Sequence, residues 1–186
     1  ATATAAPATA ATVAANGPRG SQPPTFYGAF KKAVEIIARQ YWLHYGIGSV
    51  GLRPHVVYGP ERNQGISAGP SLAARAAALG ESYRIGFRGR LGYDYVEDVA
   101  QAFVRGAFAT PAGAFTAELP SQSATPEEIV GLLDRIVPGC AARIDVAGPE
   151  LPSNVPDHPE PLEQLFPGWQ ATSLEAGLRK TIEFYR

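Results

Sequence analysis

The sequence contains no methionine, a single cysteine, only three lysines and no long apolar run. Each shortage removes a class of protein. Cys140 cannot close a disulfide within the chain, and no Cys/His cluster has zinc spacing, so neither a disulfide scaffold nor a metal centre is expected. No segment approaches the roughly 18–20 apolar residues that a membrane-spanning helix needs. Charge is scarce too: 18% of residues are charged and the formal net charge is −1, too little to gather nucleic acid or an anionic membrane. A lone thiol suits a reducing compartment, and a cytoplasmic protein is expected. Methionine is missing even at position 1, which implies a chain that begins inside a longer reading frame or has been processed.

What is present suits a globular protein. A length of 186 residues with 45% hydrophobic content is enough for one domain with a small lobe and a real core. Residues 1–24 stand apart, because "ATATAAPATAATVAANG" is Ala/Thr-biased and Arg19 is the only charge before Thr25. The segment has neither the basic start nor the strongly apolar middle of a secretory signal. On composition alone it reads as a tail or linker.

From Thr25 onward the pattern sharpens. Phe30, Val34, Ile37 and Tyr41 recur at helical spacing and predict a helix over roughly 25–45, stopped at Gly46. "SVGLRPHVVYG" predicts one short buried strand ending in a turn at Gly59-Pro60. "PSLAARAAALG" predicts a second helix, with Pro70 at its start and Gly80 as its stop. "YRIGFRGRLGYDYV" reads as one or two strands and "VEDVAQAFVRGAF" as a helix, in which Asp98 caps or buttresses. "GAFTAEL" and "ARIDV" are further strands. Thr125 and Glu128 spell a capping box for the helix "TPEEIVGLLDRIV", and Thr172 and Glu175 spell another for the last helix. Residues 147–170 are proline-rich and predict an irregular connection. Glu61 and Arg62 are expected to form a solvated pair. Strands alternating with helices indicate an α/β protein with a parallel component.

The chemistry concentrates in "TFYGAFKKAVE". Tyr27 and Lys31 are four residues apart, so on a helix they share a face. A phenol near an ammonium is a usable general acid/base, suited to moving a hydroxyl proton while hydride leaves or reaches its carbon. The same spacing also describes two ordinary residues on an amphipathic surface, and the pair alone does not separate these readings.

Four blocks in order, "YGAFKKAVE", "LRPHVVYGPER", "YVEDVAQAF" and "SLEAGLRKTIEFY", resemble the extended short-chain dehydrogenase/reductase family, in its NAD-dependent epimerase/dehydratase branch. The resemblance runs from about residue 10 to the C-terminus. It implies Tyr27 as catalytic acid/base, Lys31 as the residue that poises Tyr27 and hydrogen-bonds the nicotinamide ribose, and Thr12 as the hydroxyl that orients the substrate. Thr12 stands five residues before Gly17 in "TVAANG", although Asn16 occupies a position where the family often has tyrosine. The resemblance also places Pro54, His55 and Val56 at the nicotinamide end of a cofactor site for NAD or NADP. Many sugar-nucleotide enzymes of this kind carry asparagine where Val56 stands and an arginine where this chain has Leu91, followed here by Gly92; Arg88 or Arg90 would then serve the substrate. Read in isolation, His55 at a buried strand end is more often structural than catalytic.

One part of such a site is missing from the sequence. No G-x-x-G-x-x-G follows a strand, whereas the pyrophosphate of a dinucleotide needs such a turn at a helix N-terminus. "GPRG" and "GIGSVG" lack that context. The resemblance therefore implies the C-terminal portion of the enzyme, an α/β chain comprising the end of a Rossmann-like parallel sheet and a small α/β substrate lobe. The expected division is 1–24 as a segment containing a remnant strand and loop, 25–110 as the Rossmann-like part with lobe residues about 61–90, and 111–186 as the remaining lobe and last helix. The expected function is an NAD(P)-dependent epimerase, dehydratase or dehydrogenase acting on a sugar-like hydroxyl, as a homodimer. The alternative is a non-catalytic fragment, or a binding or regulatory protein on the same scaffold.

Overall fold

The computed structural model describes residues 25–109, 111–152 and 162–186. The first helix, Phe26–Tyr45 (α1), starts where the Thr25 hydroxyl accepts the Gly28 N–H, and it stops at Gly46, whose φ of 66° is left-handed. No residue of α1 is buried. Strand Ser49–Arg53 (β1) follows, and its parallel partner is Ala114–Glu118 (β5), in a register running from Ser49 opposite Ala114 to Arg53 opposite Glu118. This pairing carries residues 114–118 into the same sheet as residues 49–53.

The expected single strand over "SVGLRPHVVYG" is two. It breaks at Pro54-His55, and Val56–Tyr58 (β2) joins a different sheet from β1. Proline has no N–H to give a ladder, and the His55 N–H donates instead to the Asp94 carboxylate at 2.6 Å. The second sheet is β2, Leu91–Tyr95 (β4) and Gln122–Ala124 (β6), with β2 parallel and β6 antiparallel to the central β4. β6 has no apolar alternation and was not expected from the sequence. A third pair joins Tyr83–Ile85 (β3) to Ile144–Val146 (β7) in parallel.

Helices Gly69–Leu79 (α2), Val96–Phe108 (α3), Pro126–Ile136 (α4) and Leu174–Tyr185 (α5) complete the chain. The Thr125–Glu128 capping box is formed in both directions. The second expected box is not. Ser173 caps α5 by accepting the Ala176 N–H, while Thr172 is taken up by Asp98, which accepts its N–H at 2.7 Å and its hydroxyl at 2.8 Å. Asp98 thus buttresses the entry to α5. Glu61 and Arg62 make no ion pair among the described residues. Glu61 sits at φ 61°, and its N–H donates to the Tyr185 hydroxyl at 2.7 Å.

Two apolar clusters hold these elements. The larger packs Tyr58, Tyr93 and Tyr95 against Ala73, Ala77, Ile85, Phe87, Ile129, Leu133, Leu178 and Ile182. The smaller joins α3 and β5 to the 162–169 segment through Ala102, Ala117, Leu119, Leu162, Phe166 and Trp169. Burial raises the phenols of Tyr58 and Tyr93 and pushes Tyr95 up to about 12, so these tyrosines serve the core. No helix among the described residues is long and apolar enough to cross a membrane.

Candidate active site

Tyr27 and Lys31 lie on the first turns of α1, and the Lys31 ammonium stands over the Tyr27 ring, 5.4 Å from its centroid. Tyr27 is 73% exposed. Lys31 makes no ion pair among the described residues, so its charge is available to a ligand. The apolar residues that made the helix predictable, Phe30, Val34, Ile37 and Tyr41, are all half-exposed or more. The periodicity therefore identified the helix correctly, but its apolar face is uncovered among the described residues.

An ion-pair network links this helix to the strand ends. Glu35, one turn beyond Lys31, receives two guanidinium N–H bonds from Arg53, each 2.7 Å long. Arg53 also reaches Glu118 at 3.4 Å, and Lys32 reaches Glu35 at 2.9 Å. Arg53 and Glu118 end the paired strands β1 and β5, and Arg53 directly precedes Pro54. The network thus joins the helix carrying Tyr27 and Lys31 to the 54–56 turn. Sequence reasoning missed it, although the signal was available: Glu35 and Arg53 both lie inside the blocks that carry the resemblance.

The Arg53 hydrogen bonds hold the Glu35 carboxyl below its ordinary value of 4.5. A carboxyl whose folded value is depressed adds stability above its unfolded value and loses it as pH falls through the folded one. Arg53→Gln is therefore expected to cost on the order of 1 kcal/mol near neutral pH. The difference from the parent should shrink as pH falls below the ordinary carboxyl value and through the depressed one of the folded state, where Glu35 becomes protonated. Urea unfolding at stepped pH measures this, and a gap that stays constant into acid would remove the network's role.

The other expected residues are placed less favourably. Val56 is 7% exposed and turned into the core, as is Leu91 at 3%. His55 is buried against Asp94. Arg90 is committed to Glu128 at 2.6 Å and to the Ser123 carbonyl, and Arg88 donates to the Val146 carbonyl. Thr12 lies outside the described residues. A cleft of about 570 Å³ opens between β6, α4 and the start of α5, lined by Gln122, Ser123, Leu132, Arg135, Leu174 and Glu175. No residue of α1 lines it, and its charges are largely paired already, as Arg135 is with Glu175. It is not the Tyr27 site.

The donor set fits the ribose end of a nicotinamide dinucleotide: an unpaired ammonium and an exposed phenol share one helical face, one and two turns before Glu35, which Arg53 ties to the ends of the parallel strands, where ligands bind in open α/β sheets. The glycine turn for the pyrophosphate is not among these residues.

Comparison with known proteins bears on the family and the fold. Residues 2–112 match the family described as the NAD dependent epimerase/dehydratase family. No curated protein matches the chain. Among solved structures, the chain is similar to a UDP-N-acetylglucosamine 4-epimerase from Methanobrevibacter ruminantium M1 in complex with UDP-N-acetylmuramic acid, with a TM-score of 0.65 and 20% identity over 88% of this chain and 54% of that one. It is similar to the UDP-glucose 4-epimerase of Thermotoga maritima with UDP-glucose, at 0.66 and 24% over 86% and 52%. A third is a dTDP-glucose 4,6-dehydratase from Bacillus anthracis str. Ames in complex with NAD, at 0.64 and 18% over 88% and 53%. At these identities the likeness shows the fold. The chain spans about half the length of each.

Proposed function

The chain belongs to the NAD dependent epimerase/dehydratase family, and on that premise we propose that it supplies the nicotinamide-facing part of an NAD(P)-dependent epimerase, dehydratase or dehydrogenase acting on a sugar-like hydroxyl. The observation that carries the proposal is the Tyr27–Lys31 pair, solvent-facing, mutually in contact and tied through Glu35 and Arg53 to the strand ends. NAD is the cofactor that the family's description names, and four of the similar structures are complexes with it.

In this reading Lys31 binds a ribose hydroxyl, and its charge stabilises a phenolate beside it. Tyr27 accepts the proton of the substrate hydroxyl and returns it in the reverse direction. The cofactor, when bound, accepts or supplies the hydride. Thr12 orients the substrate hydroxyl, the 54–56 turn borders the nicotinamide, and Arg88 and Arg90 stand at the substrate side. We further propose the division of 25–110 from 111–186, with 61–90 in the substrate lobe and the β1–β5 pairing crossing the boundary. A homodimer through α1 completes the proposal, supported by the exposed stripe of Phe26, Phe30, Val34, Ile37 and Tyr41.

The test is transfer of label. Sugar nucleotides and simple sugars carrying deuterium at the carbinol carbon are incubated with the protein and NAD or NADP, and the nicotinamide is examined by mass spectrometry. Deuterium on the nicotinamide ring is expected. Its absence with every substrate, together with no saturable dinucleotide binding by calorimetry, would favour the non-catalytic alternative.

A further inference from the structure

We infer that His55 and Asp94 form a carboxylate–imidazole dyad, and that His55 is the second proton-carrying side chain of the site proposed above. The chemical role rests on that proposed function; the geometry does not. Asp94 lies on β4 with its side chain 3% exposed, and the His55 side chain is 8% exposed. One carboxylate oxygen accepts the His55 backbone N–H at 2.6 Å and lies 3.4 Å from His55 Nδ1. Nδ1 is itself buried and completes no hydrogen bond. The 3.4 Å separation is an ion-pair distance, a few tenths of an ångström beyond the ~2.7–3.2 Å of a formed N–H···O bond. Contacts of this kind are commonly long in the free protein and tighten around a ligand.

A buried carboxylate is costly unless it is paired. Among the described residues the imidazole is the only basic side chain within ion-pair distance of Asp94. The surroundings are shaped to that ring. A Cβ at Gly92 would meet the His55 ring at 3.2 Å and the Ser121 hydroxyl at 2.6 Å, so glycine at this point of β4 leaves the space that the imidazole uses. With the carboxylate at Nδ1 and Gly92 against the ring carbons, the orientation is fixed. Nε2 is left as the nitrogen that makes no hydrogen bond among the described residues. His55 lies two residues beyond Arg53, which ends β1 and ties this strand to the Tyr27 helix.

Simple alcohol oxidation needs one proton acceptor, and Tyr27 supplies it. A second, carboxylate-backed acceptor suits an epimerisation or elimination, in which a C–H bond beside a carbonyl also breaks. In that step the proton passes to Nε2 and its electron pair stays on the substrate. The resulting imidazolium is balanced by Asp94; in an elimination it gives the proton to the departing hydroxyl, which leaves as water, and in an epimerisation water re-protonates the carbanion on its other face while the imidazolium gives its proton to the hydroxide so formed. Asp94 acts through His55 and is a positioning residue.

Nitrogen-15 NMR of the chain tests the dyad without substrate. There are only three histidines, His44, His55 and His158, and His55→Gln assigns the signal. In mildly alkaline solution His55 is expected as the Nδ1–H tautomer, and Asp94→Asn should move it toward Nε2–H while still accepting the backbone N–H. An Nε2–H tautomer in the parent, or one unmoved by Asp94→Asn, overturns the dyad; if Asp94→Asn does not fold, the parent's tautomer decides. In the label-transfer assay, His55→Gln should slow exchange of substrate C–H with solvent deuterium by about tenfold or more, and by a larger factor than it slows hydride transfer. Equal loss of both, or of neither, overturns the proton-carrying role. Absence of hydride transfer in the parent refutes the proposed function and that role together, while the tautomer result still stands for the dyad.

Discussion

Tyr27→Phe is expected to lower turnover by about 10²–10⁴ while leaving cofactor affinity near that of the parent. The substitution removes one oxygen from a side chain that is 73% exposed, so it opens no cavity and breaks no buried hydrogen bond. The aromatic ring under Lys31 is kept, and with it most of the cation–π contact. What disappears is the atom that exchanges the substrate proton. A loss confined to kcat, with thermal stability unchanged, would mark a proton-transfer role. A parallel loss of stability would point instead to packing, and unchanged turnover would refute the assignment.

Gly177→Ala is expected to be strongly destabilising, although it adds a single methyl to a helix. Gly177 closes the first turn of α5, and within a helix alanine ordinarily gains up to about 1 kcal/mol over glycine. Here the added Cβ would overlap the Tyr58 hydroxyl and stand 2.8 Å from the ring carbon that bears it and 2.9 Å from Cδ2 of Tyr95. Both tyrosines are almost wholly buried, at 1% and 2% exposure, so neither ring can swing away. Overpacking of this kind costs about 1–3 kcal/mol and often more where the neighbours are rigid. We expect a net destabilisation of about 2 kcal/mol after the helix gain. Gly131→Ala is the internal control. It also lies within a helix, α4, but meets nothing within 4 Å, and it should stabilise by up to about 1 kcal/mol. Urea denaturation of the two variants measures the contrast. Equal effects at both positions would show that the α5–strand contact is looser than the distances indicate.

These two sites show what the sequence made legible. Residues 25–45, 96–108 and 126–136 announced themselves through apolar spacing and caps, which are local properties of the chain. β6 did not, because "QSA" is polar and its pairing with β4 is a long-range event. The division of "SVGLRPHVVYG" turned on Asp94, nearly forty residues away, taking the N–H of His55. The cap of α5 moved from Thr172 to Ser173 because Asp98 claims Thr172, another distant partner that no capping rule can see. Gly177 looked like an ordinary member of the block "SLEAGLRKTIEFY", and only the approach of Tyr58 shows why a side chain there is excluded.

The site divides along the same line. Tyr27 and Lys31 were readable as a pair because i and i+4 is a local relation. Glu35, Arg53 and Glu118 were not, because their association requires α1, β1 and β5 to be assembled. Arg90 was a candidate by charge, and its bonds to Glu128 and the Ser123 carbonyl, which any substrate contact must share, become visible only in the assembled fold.

The central claim is that the face of α1 carrying Tyr27 and Lys31 meets a nicotinamide dinucleotide. Calorimetric titration of NAD and NADP into the parent protein, Tyr27→Phe and Lys31→Met tests it most directly. The account predicts saturable binding of one dinucleotide to the parent, little change in Tyr27→Phe, and weakening by about tenfold or more in Lys31→Met, the ~1.5–3 kcal/mol of one charge-assisted hydrogen bond. Equal affinity in the parent and Lys31→Met, or no binding to the parent, would contradict it.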